Sequence, residues 1–122
     1  MFIFVYGTLM RGEHAEHHLA DLRCEGPART AAGYVLYGLG WYPGMVHTPG
    51  DGGQVQGELY TLPEAGRAAR LAAMDDYEGV PDPYQRAQVP LADGRTAVAW
   101  LLGAGHARGR PRIPGRDWRA WR

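Results

Sequence analysis

The sequence predicts an α+β fold in which a small mixed, barrel-like β-sheet is flanked by short helices. Short apolar runs rich in β-branched and aromatic residues recur along the 122 residues, with only two stretches of helical spacing between them. The 18 Gly and 9 Pro are spread between these runs, which is typical of many turns rather than of a disordered tract. A hydrophobic fraction of 45% is enough for one packed core, so we expect a single domain over residues 1–122.

The first predicted elements are a buried strand and a short amphipathic helix. Residues 2–6 form an aromatic and β-branched run, and residues 7–12 follow as a loop bounded by glycines. Apolar residues at positions i, i+4 and i+7 predict a helix over residues 13–22. Gly26-Pro27 is then expected to break the chain.

The middle of the chain is predicted to be mostly β-structure. Residues 32–39 indicate one strand, and residues 45–47 indicate a second, short one. Between them, residues 38–44 form an aromatic and glycine-rich loop. After a turn cluster at residues 48–53, alternating apolar and polar residues predict a strand that ends near Tyr60.

A second helix is predicted after this strand. Thr61 and Glu64 have the spacing of a capping box, in which each side chain can bond the other residue's backbone N–H. The helix is expected to end in residues 75–79, because Pro81 and Pro83 prevent its continuation.

The chain then contains a strong β-hairpin signal. Residues 84–91 and 96–102 are the two predicted strands, and Asp93-Gly94 supplies the turn between them.

The charge is balanced overall but not along the chain. The formal net charge is zero, from 13 Arg and 13 acidic residues, which argues against a dedicated nucleic-acid binder. Residues 108–122 nevertheless carry a net charge of +5, and the rest of the chain carries −5. We expect this Arg/Trp-rich C-terminal segment to dock on the acidic body, with Trp118 and Trp121 as aromatic anchors. An anion or RNA contact through the segment is the alternative.

The cysteine content and the hydropathy indicate the compartment. Cys24 is the single cysteine, so an intramolecular disulfide is impossible and a reducing compartment fits best. No apolar run approaches the roughly 18 residues that a membrane-spanning helix needs. The apolar N-terminus lacks a basic region and is better explained as a strand than as a signal peptide. We therefore expect a cytoplasmic protein without a membrane partner.

Two local features are candidate sites of chemistry. The turn Tyr6-Gly7-Thr8-Leu9 ends a strand and exposes backbone N–H groups, which can hold a carboxylate or stabilise an oxyanion. In Asp75-Asp76-Tyr77-Glu78-Gly79, three carboxylates crowd the end of a helix, where the helix dipole favours cations. Their mutual repulsion is expected to raise at least one carboxylate pKa toward the range of a general base. A plain turn and a solvated acidic surface are the alternatives.

Metal, serine and phosphate-loop chemistry have little support in the sequence. His14 and His18 share a helical spacing, but no further ligand is evident, and Ala15 breaks the zinc-protease pattern, so we expect no metal site. The chain contains neither Ser nor Lys, which excludes a Ser-based triad and a phosphate-binding loop with its Lys.

Taken together, these segments resemble the γ-glutamylcyclotransferase-like family. The order and spacing of the matching residues cover almost the whole chain. They are Val5-Tyr6-Gly7-Thr8-Leu9 with Arg11-Gly12, Trp41-Tyr42-Pro43-Gly44, Val55-Gln56-Gly57-Glu58-Leu59-Tyr60, Met74-Asp75-Asp76-Tyr77-Glu78-Gly79, Tyr84-Gln85-Arg86 and Gly115-Arg116-Asp117-Trp118.

The resemblance implies an enzyme that cyclises the γ-glutamyl group of a γ-glutamyl amine or peptide to 5-oxoproline. Glu78 is then the general acid/base, with Glu58 as a rival carboxylate. The remaining implied residues contact the substrate and are Tyr6, Gly7, Thr8, Leu9, Tyr42, Pro43, Gly44 and Tyr84. The implied fold is a small barrel-like sheet with flanking helices.

The expected partner is a small γ-glutamyl substrate, with no cofactor and no nucleic acid, for a monomer or a homodimer. A non-catalytic protein of the same fold that binds γ-glutamyl or amino-acid ligands is the alternative function, because fold membership alone does not prove activity.

Overall fold

The computed structural model describes all residues from 1 to 122 and confirms the predicted α+β class. It contains seven strands and two α-helices. The strands are β1 (Phe2–Val5), β2 (Cys24–Arg29), β3 (Tyr34–Gly38), β4 (Pro43–His47), β5 (Gln56–Thr61), β6 (Tyr84–Pro90) and β7 (Thr96–Leu102). The helices are α1 (Arg67–Glu78) and the short α2 (Trp118–Trp121), with 3₁₀ turns at Glu16–His18 and Ala104–Ala107.

Five strands form a mixed sheet in the order β2-β5-β1-β7-β6. Strand β1 runs parallel to β7 and antiparallel to β5, so it lies at the centre of the sheet. At one end the two edges meet, because Thr30 and Leu91 form an antiparallel bridge just beyond β2 and β6. The sheet therefore curves round as in a barrel, and its central strand carries the turn at residues 6–9 to one rim.

The second sheet is the hairpin of β3 and β4, which the C-terminal segment extends. The Ile113 N–H donates to the Leu36 carbonyl, and the Gly38 N–H donates to the Pro111 carbonyl. Pro43 and Gly44 belong to β4, so this strand begins two residues earlier than the sequence predicted.

The core fills the interior between the strands and the helices. Its largest fully buried side chains include an aromatic pair and branched or sulfur-containing residues from several strands and loops. They are Trp100, Phe4, Ile3, Met10, Leu19, Leu36, Met45, Leu59, Leu62 and Met74. None of the helices is long and apolar enough to cross a membrane.

The predicted helix over residues 13–22 is wrong, since only the single 3₁₀ turn Glu16–His18 forms there. Separate turns with bonds to the carbonyl three residues earlier replace the helical pattern, and two longer-range bonds hold the segment: the Ala15 N–H donates to the Thr8 carbonyl, and the Glu13 carboxylate accepts from the Trp118 indole. Ala15 and Leu19 are buried, so the apolar spacing correctly indicated that this segment packs on the core, although it did not predict the conformation of the segment.

The predicted chain break at Gly26-Pro27 is also wrong, because both residues lie inside β2. Strand β2 is an edge strand, where a proline without an N–H does no harm. The pairing with β5 shifts between Cys24 and Gly26, and Gly26 has a φ of +102° that favours glycine at this bulge.

The predicted capping box does not form. Thr61 still belongs to β5, its hydroxyl donates to Glu25, and the next N–H, that of Leu62, pairs with the Met1 carbonyl. Strand pairing thus extends past Thr61, and α1 begins only at Arg67, after Gly66 with a φ of +71°.

Gly57 gives a direct test of the sheet packing. A Cβ on Gly57 would overlap the Val5 carbonyl oxygen and come within 2.7 Å of the Phe4 ring. We expect Gly57→Ala to lower the free energy of unfolding by about 1–3 kcal/mol, measured by urea denaturation. Gly52→Ala is the matched control, because a Cβ there meets nothing within 4 Å. Equal stabilities of the two variants would contradict the close packing of β1 on β5.

Candidate active site

A cavity of about 370 Å³ opens at the rim of the sheet, where the turn after β1, the start of β4, the end of α1 and the strands β6 and β7 converge. Most of its walls are apolar or aromatic, and the charged side chain of Glu78 faces into it. The lining residues are Phe4, Val5, Tyr6, Gly7, Thr8, Leu9, His14, Trp41, Tyr42, Pro43, Tyr77, Glu78, Pro83, Tyr84 and Trp100.

Glu78 is the last residue of α1. The helix ends directly after it because Gly79 has a φ of +79°, with its N–H donating to the Asp75 carbonyl. Burial raises the pKa of the Glu78 carboxyl from 4.5 to about 7, and no neighbouring charge or hydrogen bond contributes to the shift. Both the protonated and the ionised form of this carboxyl are therefore accessible near neutral pH, as suits a group that both takes and returns a proton.

The mutual repulsion expected among the three acids is not the cause of this shift. Asp75 accepts a hydrogen bond from the Trp100 indole at 2.8 Å and forms an ion pair with Arg86 at 3.3 Å, while Asp76 is exposed. Asp75 therefore has a structural role, which ties the last turn of α1 to β6 and β7. Glu78 is left facing the cavity alone.

The turn after β1 presents backbone donors to the same cavity. The N–H groups of Gly7, Thr8 and Leu9 donate to no group of the protein, although the Gly7 and Thr8 carbonyls accept from Met10 and Ala15. Gly7 packs so closely on Pro43 that a Cβ would lie 2.6 Å from the proline ring. Three consecutive backbone donors without a protein partner, in a turn that lines the cavity, are a feature typical of anion-binding sites.

Two buried tyrosines form the floor of the cavity, and each is fixed by a backbone carbonyl. The Tyr6 hydroxyl donates to Trp100 at 2.7 Å and accepts from the Met45 N–H, and the Tyr84 hydroxyl donates to Pro43 at 2.7 Å. Burial, followed by the nearby negative charge of Glu78 among other groups, raises the pKa of both phenols, so they remain neutral donors.

A family model described as gamma-glutamyl cyclotransferase, AIG2-like, matches residues 3–120. The chain belongs to this family. Its match to the curated relatives is partial in length. A putative gamma-glutamylcyclotransferase of Vibrio cholerae is 38% identical over 100 residues, which cover 81% of this chain and 77% of the relative. The gamma-glutamylaminecyclotransferase of Rattus norvegicus is 38% identical over 91 residues, which cover 69% of this chain and 58% of the rat protein.

Solved structures share the same fold. A uropathogenic E. coli-specific protein superposes with a TM-score of 0.80 at 28% identity, covering 98% of this chain and 93% of that one. An aig2-like protein of Mus musculus superposes with a TM-score of 0.75 at 26% identity, covering 96% and 86% of the two chains.

Against this family background, most residues named from the sequence line one cavity. Among the acid/base and substrate-contacting residues that the resemblance implies, only Gly44 lies outside the cavity lining. It is buried in β4 and packs against Leu102, so a Cβ on Gly44 would overlap the leucine side chain. Seven further residues that line the cavity were not predicted to contact the substrate: Phe4, Val5, His14, Trp41, Tyr77, Pro83 and Trp100. Trp41 and Tyr77 stand inside motifs that carried the family resemblance, whereas no local signal marks Trp100.

The rival carboxylate, Glu58, does not line the cavity. It is buried and accepts from the Arg11 N–H at 2.7 Å and from the Arg119 guanidinium at 3.3 Å. Its contacts hold the C-terminal segment against the loop that follows the turn.

The histidines offer no metal centre. No group of three or more His, Cys, Asp or Glu side chains is arranged to hold a metal ion. The ring of His14 stacks on Trp41, and that of His18 lies against Tyr77.

The raised pKa of Glu78 predicts that its charge destabilises the folded protein. The pKa of Glu78 is near 7 in the folded protein and has an ordinary value of 4.5. The protonated carboxyl therefore contributes stability that is fully present below pH 4.5 and is lost as the pH rises through about 7. A tenfold change in an ionisation constant is worth about 1.4 kcal/mol, so the loss amounts to about 3 kcal/mol.

We therefore expect Glu78→Gln to match the wild type in stability near pH 4 and to exceed it by up to about 3 kcal/mol at pH 8, measured by urea denaturation at both pH values. The exposed Asp76→Asn serves as the control, with no such gain. A Glu78→Gln stability advantage that is the same at pH 4 and pH 8 would show that the carboxyl is not desolvated.

Proposed function

We propose that this protein converts a γ-glutamyl amine or peptide into 5-oxoproline and releases the free amine. The observation that carries the proposal is the placement of Glu78, with its pKa near 7, in the same cavity as the unpartnered N–H groups of residues 7–9. A proton carrier and a preformed anion-binding turn are the two devices that an intramolecular aminolysis needs. Membership of the gamma-glutamyl cyclotransferase family supports the same reaction.

In the proposed reaction, Glu78 moves two protons in turn. Its carboxylate removes the first proton from the α-ammonium group of the substrate, and the free amine nitrogen attacks the γ-carbonyl carbon of the same molecule. A new C–N bond closes the five-membered ring. The bond to the leaving nitrogen breaks as Glu78 gives it this proton, and the Glu78 carboxylate then takes the excess proton from the ring nitrogen and passes it to the released amine. The products are 5-oxoproline and the ammonium form of the amine, and Glu78 is again a carboxylate.

The rest of the site positions the substrate and stabilises charge. The N–H groups of residues 7–9 bind the developing oxyanion or the substrate carboxylate, and they need no reorganisation because the turn is already formed. Tyr6 and Tyr84 set the depth of the cavity beside Glu78. The attacking amine and the carbonyl belong to one substrate molecule. Much of the rate acceleration therefore comes from holding the substrate bent, so that the two groups meet.

We propose that the enzyme works without a cofactor, since the reaction involves no change in oxidation state and its proton transfers require only one carboxyl group. Four Arg of the C-terminal segment are paired with the acids Asp51, Glu58 and Glu13, which supports a small-molecule partner rather than a nucleic acid. A single thiol supports a location in the reducing cytoplasm.

The activity is tested by incubating purified protein with γ-glutamyl amines and dipeptides and measuring 5-oxoproline by mass spectrometry. We expect Glu78→Gln to lower kcat by about 10²–10⁴-fold, because the variant cannot move the proton. Asp76→Asn, two residues before Glu78 but exposed and outside the cavity lining, is expected to retain activity. Thermal stabilisation by these compounds with no product from any of them would favour a ligand-binding protein instead.

The pH dependence follows from the same group. As Glu78 must be ionised to accept the first proton, kcat/KM is expected to fall about tenfold per pH unit below an apparent pKa near 7. The profile is measured between pH 5 and 9 on one γ-glutamyl substrate. An acidic limb centred near the ordinary glutamate value would show that Glu78 is not the base.

A further inference from the structure

The mouth of the cavity carries an unusual concentration of exposed aromatic surface. Five large hydrophobic side chains of the protein remain exposed, and three of them line this cavity: Trp41 at 74%, Tyr42 at 37% and Tyr77 at 38% exposure. Single exposed apolar side chains are ordinary on a protein surface, but a contiguous group at a cavity mouth is typical of a binding site.

The Trp41 ring is held in place by its aromatic neighbours. The imidazole of His14 stacks on the indole with ring centroids 5.7 Å apart and planes at 28°. The Tyr42 ring meets the indole edge-on, with centroids 6.1 Å apart and planes at 86°. Since three-quarters of the Trp41 surface is still exposed, the indole offers an oriented aromatic surface to a further ring.

The charges around the cavity disfavour an ionic ligand group at this mouth. No Arg lines the cavity, and the nearby Arg86 and Arg119 are paired with Asp75 and Glu58. An anionic group at this mouth would therefore find no free guanidinium. Glu78 is the only carboxylate in the lining, and in the proposed function its charge is used for proton transfer.

The chemistry fixes which part of the substrate reaches this mouth. The γ-carbonyl carbon must lie beside Glu78 and the N–H groups of residues 7–9. The leaving nitrogen is bonded to that carbon, so its substituent extends into the rest of the cavity. Because the floor is closed by the buried Tyr6 and Tyr84, the remaining direction is the exposed aromatic mouth.

We infer that the cavity mouth formed by His14, Trp41 and Tyr42 is the subsite for the leaving amine and that it selects amines bearing an uncharged aromatic ring, which stacks on Trp41. This inference rests on the proposed function and adds the substrate class to it. Trp41 is thus a specificity-determining residue, whereas Glu78 and the turn at residues 7–9 serve any γ-glutamyl compound.

Two matched substrate pairs test the inference. γ-Glutamyl benzylamide and γ-glutamyl cyclohexylmethylamide differ only in the aromaticity of the ring, and we expect kcat/KM to favour the benzylamide by about three- to tenfold. γ-Glutamyl phenethylamide and γ-glutamylphenylalanine differ only in a carboxylate on the leaving amine. We expect the phenethylamide to be favoured by about tenfold or more, because the carboxylate meets no free guanidinium at this mouth and the N–H groups of residues 7–9 serve the γ-glutamyl part of the substrate.

Trp41→Leu is expected to bring the benzyl-to-cyclohexylmethyl ratio to about one. Trp121→Leu is the matched control and keeps the wild-type ratio, because Trp121 is also partly exposed but lies outside the cavity. A wild-type ratio of one or less, or a ratio that survives Trp41→Leu, would overturn the inference while leaving the proposed function intact.

A binding measurement separates this inference from the proposed function. Calorimetric Kd values of the same benzyl and cyclohexylmethyl compounds on Glu78→Gln should differ by the same factor without any turnover. If the wild type forms no 5-oxoproline from these four compounds or from the wider panel of γ-glutamyl amines and dipeptides, the proposed function fails. The subsite then stands if the Kd ratio favours the benzylamide, and it falls if the two Kd values are equal.

Discussion

The hydrogen bond from the Trp100 indole to Asp75 is the interaction on which the geometry of the site depends. Trp100 is buried in β7, and its indole N–H holds the last turn of α1 at 2.8 Å, while Arg86 on the neighbouring strand pairs with the other oxygen of the same carboxylate. The Trp100 carbonyl also accepts from the Tyr6 hydroxyl. Trp100 therefore fixes both the helix end that bears Glu78 and a buried tyrosine that lines the cavity. Asp75 is held by these contacts, whereas Glu78, three residues later, faces the cavity.

The C-terminal segment supports the opposite side of the cavity. Glu13 and Glu58 are both buried, and a buried carboxylate must be paired and hydrogen-bonded to be tolerated. Trp118 and Arg122 satisfy Glu13, and Arg119 satisfies Glu58 together with the Arg11 N–H. These contacts hold the loop that continues from the turn at residues 7–9. The zero net charge of the chain is thus the sum of two complementary parts that meet at this loop.

Much of the fold was predictable because buried strands and tight turns have recognisable local sequence patterns. The hairpin of β6 and β7 follows from its Asp-Gly turn, β1 follows from an aromatic and β-branched run, and β5 follows from alternating apolar and polar residues. The failures lie where long-range contacts override local preference. Residues 13–22 exchange helical bonds for contacts with Thr8 and Trp118, and Thr61 exchanges its capping role for strand pairing.

The sequence by itself determined which residues are available for chemistry: a glycine turn after the first strand, an acidic helix end and an aromatic loop, in an order that the family shares. Only the tertiary structure decided which acid has a raised pKa, because ionisation depends on desolvation and on partners that are remote in sequence. Asp75 meets Arg86 and Trp100, Glu58 meets Arg119, and Glu78 has no partner and lies partly buried in the cavity. Local repulsion suggested a raised pKa in the right segment, but burial in the folded cavity is its cause.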